Sequence, residues 1–545
     1  MTVLTTLLVA LAALAWMVRA IPVTLVGARM LQIEEYEDAR FLHWGLSRAW
    51  LAHRANVVAA LLSLIALAGA LLVPAQATRI IAAGWLVASV TAALLWRWTA
   101  AKRPLVMTAR MRRVLGVAAA AVALVAAGAA VLLGTGQWRA AAVLCAVLLS
   151  LLTGLSQLVL AGADQALRPL ESAIRRRYLR QARTRMAAVG PLVVAVAGSY
   201  GKTSTKHILA QLLAEQVETL PTRKSFNTLM GVTRVINEDL QERHRLFIVE
   251  MDAYARGEIA SMCDLVHPRA AVVTSAGPQH LERFGDMDAI VDALYEVVAA
   301  LPPDGTAFIH ADEHGAELAR RAAREGRDVV RYGIAEDVES LDVVATEVEP
   351  GAAGSRFCWT WPKLGLRRAV AIPLLGRHQV LNVTAALAVV QHLGYSLDAA
   401  IAAAGRLRAV EHRLQPLPAT GAVRVIDDSY NANPVGVHDA LEVLAAMNGG
   451  ARVLVTPGLV ELGPMEDVEN RRYGEHAAQV CDHVIVMVAR PAGALRAGLA
   501  AGGLGADRIH LAHNLAEATA IIGRITHAGD TVLFANDLPD TYLPA

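Results

Sequence analysis

Within its first 165 residues the chain holds five charge-free apolar intervals, Met1–Val18, Ala55–Thr78, Ile80–Trp96, Val114–Trp138 and Ala140–Ala163. Each has about the ~17–25 residues that a helix needs to cross the hydrocarbon core of a bilayer. Together they explain a hydrophobic content of 55% over 545 residues, above the ~45–50% of ordinary soluble chains. A cleaved signal peptide describes the first interval poorly, because no basic residue precedes it and further spans follow. A retained signal anchor is expected.

The connections alternate in charge. Arg19, Arg29, Arg40, Arg48 and Arg54 follow the first interval, and Arg97, Lys102, Arg103, Arg110, Arg112 and Arg113 follow the third. Only Arg79 and only Arg139 stand in the other two gaps, and Arg168, Arg175, Arg176, Arg177, Arg180, Arg183 and Arg185 follow the fifth. Basic residues mark the cytoplasmic side. The expectation is a multi-pass protein of the cytoplasmic (inner) membrane, with its N-terminus outside and everything after about residue 165 in the cytoplasm. A set of buried helices in a large soluble protein is the competing reading. Arg168–Arg185 reads as an interfacial helix, since a juxtamembrane basic segment gains roughly 1 kcal/mol per Lys or Arg from anionic lipid. The same charges could hold the phosphates of a lipid-linked substrate. Membrane lipid is therefore an expected partner, nucleic acid is not, and the sequence fixes no oligomeric state. Cys145, Cys263, Cys358 and Cys481 stand far apart without a C-x-x-C pair, which argues against a zinc module, a thioredoxin-type site or a disulfide framework.

The chemistry begins after residue 190. Pro191–Ala197 is a Val-rich apolar run, followed by Gly198-Ser-Tyr-Gly-Lys-Thr-Ser-Thr205 and then by the helical pattern KHILAQLLAEQ. Strand, glycine turn and helix in that order form a phosphate loop. Its backbone N–H groups and helix N-terminus face the phosphates, Lys202 adds a mobile charge, and Thr203 offers a hydroxyl to magnesium. Gly198, Ser199, Gly201, Lys202, Thr203 and Ser204 are thus the candidate nucleotide contacts. The match is to a short G-x-x-G-K-T form, because the longer pattern would need Gly where Val196 stands.

From here the chain resembles the Mur ligases of peptidoglycan synthesis, most closely their D-alanyl-D-alanine-adding branch. Besides GSYGKTSTK, the resemblance is carried by Ser225-Phe-Asn-Thr-Leu-Met-Gly-Val232, Val249-Glu-Met-Asp252 with Arg256-Gly-Glu-Ile-Ala260, and Ser275-Ala-Gly-Pro-Gln-His-Leu-Glu-Arg-Phe-Gly285. Gly376-Arg-His-Gln-Val-Leu-Asn382 and Asp427-Asp-Ser-Tyr-Asn-Ala-Asn-Pro434 complete it, so that six segments stand in the family's order over about residues 190–480.

The resemblance implies that ATP phosphorylates a substrate carboxylate and that an amine then attacks the acyl phosphate to form an amide. It implies Lys202 on the phosphates, Thr203 and Glu250 on a first magnesium (Mg2+), His280 near a second, Asn382 at adenine, Arg413 on the γ-phosphate and Asp428 on the ribose. Such a site brings a carboxylate to a triphosphate, so charge neutralisation must dominate it. Each residue also has an ordinary use. Glu250 ends the apolar run Leu246–Val249, where a Glu is often just solvated, although its place suits a carboxylate ending a strand beside the phosphate loop. His280 could be a plain loop or core histidine, Arg413 could pair with a surface acid, and Asp427 and Asp428 precede an N-x-N-P turn.

Three departures bear on the substrate and the second cation. The family's carbamylated lysine falls on Leu294, and leucine cannot bind a hard cation. Asp292 or Glu296 could substitute, and Glu282 could assist His280. The stretch Val532–Asp540 replaces a basic KGSR-like segment, and a membrane domain stands where the family's UDP-sugar-binding domain is expected.

The expected architecture is α/β. A five-helix transmembrane bundle occupies 1–165 and a basic juxtamembrane linker 166–189. A doubly wound P-loop ATPase domain at 190–410, interrupted by a β-hairpin over Asp342–Trp361, precedes a Rossmann-like α/β ligase domain at 411–545. The leading expectation is a membrane-tethered, ATP-dependent ligase joining a small-molecule or lipid-linked carboxylate to an amine donor in cell-envelope synthesis. A polyglutamate-type amide ligase and a non-catalytic nucleotide-binding membrane scaffold are the alternatives.

Overall fold

The computed structural model describes residues 20–34, 36–44, 104–135, 156–417, 423–430 and 432–537. They form two compact units, divided in the chain between Arg175 and Arg176.

In the first unit, Ala20–Ile33 and Asp38–Trp44 are helical, as are α1 (Ala109–Gly134) and the start of α2 (Ser156–Val189). The first two fall where a loop was expected; the apolar IPVTLVG stretch gives the earlier one a face to bury, and Ala28, Leu31, Phe41, Met111, Val114 and Leu160 share one buried cluster. Three ion pairs link the same helices, Arg110–Asp164 at 2.9 Å, Arg113–Glu171 at 2.7 Å and Arg168–Asp38 at 2.5 Å. Among the described residues one helix is long and apolar enough to cross a membrane, α1, whose qualifying stretch is Ala109–Gly128. The five-span bundle is therefore not supported as a whole. Met1–Val18, Ala55–Thr78 and Ile80–Trp96 lie outside the described residues, as does Ala140–Ala163 up to residue 155. The segment expected as a linker, 166–189, is the continuation of α2.

The second unit opens with β1 (Leu192–Ala197), whose apolar run is buried on both faces, as expected of a central parallel strand. Val193 and Ala195 face one core and Val194 and Val196 the other, in the two-residue period of a strand. The sheet runs in the order β2 (Thr219–Pro221), β3 (Leu246–Glu250), β1, β4 (Ala270–Val273), β5 (Thr306–His310), β6 (Asp328–Ile334), β7 (Val343–Gly351), β8 (Gly354–Trp361), β9 (Leu366–Ile372). Neighbours are parallel through β7, and β8 and β9 are antiparallel, which places a hairpin where Asp342–Trp361 suggested one. Because β1 lies between β3 and β4, the chain winds to both sides of it, and the crevice beyond the carboxyl ends of these strands is the switch point where such sheets bind ligands.

The C-terminal sheet has the order β10 (Gln415–Leu417), β11 (Arg424–Asp428), β15 (Thr531–Ala535), β12 (Arg452–Thr456), β13 (His483–Met487), β14 (Ile509–Ala512). Only β10 is antiparallel to its neighbour. β11 to β15 are the five short apolar runs seen in the sequence, each followed by or preceding an Ala-rich helix.

Candidate functional site

The site starts from strand register. Val196, near the end of β1, pairs with Glu250 at the end of β3, and Ala197 with Val273 at the end of β4. The loop leaving β1 is thus held between an acidic strand end and Thr274. Gly198 has φ +140°, and a Cβ there would lie 2.3 Å from Thr274 Oγ1. Gly201, at φ +82°, precedes α3 (Lys202–Leu213), and no side chain caps that helix. Its first N–H groups are therefore open to an anion, favoured further by the helix dipole. Ser199 ties the loop down, donating through Oγ to Gly277 O at 2.8 Å and through N to Ser275 O at 2.7 Å. Ser204 is buried in the first turn of α3.

Lys202 is also buried, and its ammonium donates to Gly198 O at 2.6 Å and to Gln279 Oε1 at 3.3 Å, with Asp252 Oδ1 at 3.1 Å. Glu250 Oε1 accepts from Thr203 Oγ1 at 3.0 Å and from Asn227 Nδ2 at 3.1 Å. Its Oε2 meets Lys206 Nζ at 2.8 Å, with both side chains shut off from solvent. Burial pushes the Lys206 ammonium below its ordinary pKa, and Glu250 opposes that shift. Among the described residues no group of three or more His, Cys, Asp or Glu forms a ready-made metal cage. The Thr203 hydroxyl and the Glu250 carboxylate do suit magnesium, which takes few protein oxygens and completes its shell with water and phosphate.

His280 has φ +58° and is nearly buried, and its Nδ1 lies 2.8 Å from Glu461 Oε2 of the C-terminal domain. The carboxylate beside it is thus Glu461, not Glu282. Leu294 lies within α4 (Met287–Ala299) and packs in the core with Ile290 and Val298. The two carboxylates considered as substitutes for a lysine there are committed elsewhere. Asp292 pairs with Arg256 and Arg321, each at 2.8 Å. Glu296 accepts from Gly257 N at 2.5 Å and Ala260 N at 2.9 Å, holding the start of the helix Glu258–Val266.

Asn382 lies behind the phosphate loop. Its Oδ1 accepts from Thr205 Oγ1 at 3.1 Å and would be 2.7 Å from a Cβ on Gly201. Arg413 sits over the Tyr430 ring at 4.5 Å, between His412 at φ +61° and Leu414 at φ +40°. Asp428 Oδ1 accepts from Leu414 N at 3.0 Å. Desolvation raises the Asp428 carboxyl to about 6, against the pull of His378 and Arg413. The phosphate loop, Glu250, His280 and Asn382 thus belong to the middle domain, with Arg413 on the segment joining the two domains and Asp428 at the end of β11, tied to that segment through Leu414.

Sequence reasoning missed Lys206, Asp252 and Glu461. Lys206 had a visible signal, a charge four residues after Lys202 on the otherwise apolar face of α3. Asp252 had one too, as the second acid of the Val249-Glu-Met-Asp252 strand end, whereas Glu461 had none, since only the fold brings it to His280.

Comparison with known proteins matches residues 196–390 to the Mur ligase middle domain and residues 412–536 to the Mur ligase, glutamate ligase domain. The chain is 32% identical over 333 residues to the UDP-N-acetylmuramoyl-tripeptide--D-alanyl-D-alanine ligase of Escherichia coli, covering 61% of this chain and 70% of that protein. It is 28% identical to the Bacillus subtilis enzyme of the same name, covering 54% of this chain and 62% of the relative. Among solved structures, MurF from Acinetobacter baumannii matches with TM-score 0.60 at 28% identity, over 67% of this chain and 78% of that one. MurF ligase from Thermotoga maritima in complex with ADP matches with TM-score 0.59 at 25% identity, over 66% and 80%.

Proposed function

The chain belongs to the Mur ligase family of ATP-dependent amide-forming ligases, and from that premise we propose that it acts at the inner membrane on a peptidoglycan-like cell-envelope precursor, joining its carboxylate to the amine of an amino acid or peptide. The observation that carries the site reading is the placement of Thr203 and Glu250, 3.0 Å apart, at the mouth of an uncapped phosphate loop.

ATP, when bound, supplies the phosphoryl group that turns the carboxylate into an acyl phosphate. The protein's part is positional and electrostatic. The N–H groups at the start of α3 would donate to phosphate oxygens, and Lys202, which now meets Asp252 and the loop carbonyls, would supply positive charge to the phosphates. Thr203 and Glu250 would hold the first magnesium, and His280 would stand at a second. Arg413 would bring positive charge from the interdomain segment, Asp428 would accept from ribose hydroxyls, and Asn382 would support the loop on its adenine side.

Two observations support the membrane placement. The connections alternate in basic charge, and α1 leaves Leu124 75% and Val131 66% exposed, as a helix covered by lipid does. The envelope substrate is supported by the name of the Escherichia coli and Bacillus subtilis relatives, UDP-N-acetylmuramoyl-tripeptide--D-alanyl-D-alanine ligase.

The test is amine-dependent release of phosphate from ATP by the purified full-length protein. Lys202→Ala removes the mobile cation of the loop, and amide formation should fall by orders of magnitude while membrane insertion is kept. Near-normal turnover in that variant would refute the reading. Mass spectrometry of lipid extracts and precursors from a deletion strain would identify the missing addition.

A further inference from the structure

Lys206 is shut off from solvent one helical turn along α3 from Lys202, and its ammonium donates to Glu250 Oε2 at 2.8 Å and to Lys224 O at 2.6 Å. Lysine is almost never buried to this degree without a partner. A buried ion pair is weak evidence for stability, however, since well-packed apolar side chains of similar volume often serve as well or better. The Glu250 carboxylate points to another use, because its two oxygens are treated differently. Oε1 accepts from Thr203 Oγ1 at 3.0 Å and from Asn227 Nδ2 at 3.1 Å, whereas Oε2 is held by Lys206. The backbone of Glu250 is fixed as well, through the pairing of β3 with β1 and through donation from its N to Thr222 Oγ1 at 3.2 Å. The 3.0 Å between Thr203 Oγ1 and Glu250 Oε1 matches the edge of an octahedron of oxygens, about 2.9 Å for metal–oxygen distances of ~2.0–2.1 Å. Magnesium demands that geometry. Calcium binds at ~2.3–2.6 Å with ~6–8 oxygens, and can take both oxygens of one carboxylate.

We infer that Lys206 is a positioning residue that sets cation specificity: by occupying Glu250 Oε2 it confines the carboxylate to one oxygen, so that the site at Thr203 and Glu250 selects magnesium over calcium. The inference rests on the proposed function. One carboxylate oxygen an octahedral edge away from a threonine hydroxyl leaves the other positions to phosphate and water, which suits magnesium and under-fills the shell of the larger ion. The Lys206 charge repels either divalent cation alike, so it cancels in the ratio of the two affinities and geometry remains. Two lysines one turn apart on α3 thus have separate tasks. Lys202 serves the phosphates, and Lys206 acts on the cation through Glu250.

The experiment is a calorimetric titration of the full-length protein with a non-hydrolysable ATP analogue, in Mg2+, in Ca2+ and in EDTA. The wild type should bind the analogue most tightly in Mg2+ and least tightly in EDTA. Lys206→Met should lower the ratio of the Mg2+ to the Ca2+ affinity by about 10–100-fold, the usual size of effect when the partner of a metal ligand is lost, with binding in EDTA unchanged. An unchanged ratio in that variant would overturn the inference. So would an equal loss in all three conditions, which would make Lys206 a purely structural ion-pair partner. Removing one member of a buried pair is strongly destabilising, so a second measurement uses the wild type alone. Its crystal structure with Mg2+ and the analogue should show Glu250 on the ion through Oε1 only, with Lys206 still on Oε2. Coordination through both oxygens, or through Oε2, would overturn the inference while leaving the proposed function standing. A wild type that binds the analogue equally in Mg2+ and in EDTA would overturn the proposed function and this inference with it.

Discussion

What an added methyl group would meet separates two glycines with similar backbones. Gly198 and Gly257 both have positive φ, +140° and +89°, but a Cβ on Gly257 would enter open space. On Gly198 it would lie 2.3 Å from Thr274 Oγ1 and 3.0 Å from the backbone of Ser275. Gly257→Ala should therefore cost only the left-handed strain, about 1–2 kcal/mol, and leave nucleotide binding intact. Gly198→Ala must also push β4's exit away from the loop. A displacement near 1 Å in a positioned site can cost on the order of 100-fold, so its ATP affinity should collapse while Gly257→Ala stays near wild type. Urea unfolding and calorimetric nucleotide titration of the pair check this, and equal nucleotide affinity in the two would refute the loop geometry. At this scale legibility follows chain distance. Glu250 could be found because a strand adjacent to β1 must end beside the loop. Glu461 could not, because 181 positions separate it from His280 and the contact exists only once two domains touch.

Elements were legible where burial writes a period into the sequence. β1, β3 and β4 read as continuous apolar runs because both faces are covered, and β11 to β15 repeat the pattern in the second sheet. The join between the sheets carries no such signal. Arg413 stands between two left-handed residues that neither glycine nor asparagine announces, and Asp428 ends β11 in a desolvated crevice. That crevice predicts a pH effect. Burial raises the Asp428 carboxyl from 3.8 to about 6, so between those values the folded chain binds more proton than the unfolded one. Its contribution to stability is then present below about 4 and is lost as pH rises through about 6. Asp428→Asn keeps an oxygen for Leu414 N and removes the titration. The melting temperature of the wild type minus that of the variant should be more favourable at pH 5 than at pH 7.5. A difference independent of pH would show that Asp428 is not desolvated.

At the scale of the whole molecule, the proposed membrane placement is tested by the parity of the spans. Five crossings put the ends on opposite faces of the membrane; four or six put them on the same face. The helix α1 is the one described element on which the proposed orientation bears. Its first turns carry Arg110 and Arg113, which pair with Asp164 and Glu171, and its apolar remainder follows toward Gly134. The helix thus has a charged end where the cytoplasmic face was expected and an exposed apolar body beyond it. The phosphate loop lies after the basic run that ends at Arg185, so the proposed orientation puts the site and that run on one side. A reporter fused after Arg185 should therefore be active in the cytoplasm, and a tag at Met1 should be open to protease added outside intact spheroplasts. Protection of the Met1 tag, with the Arg185 reporter still cytoplasmic, would mean an even number of crossings. One of the apolar intervals would then have to lie along the membrane or within the protein.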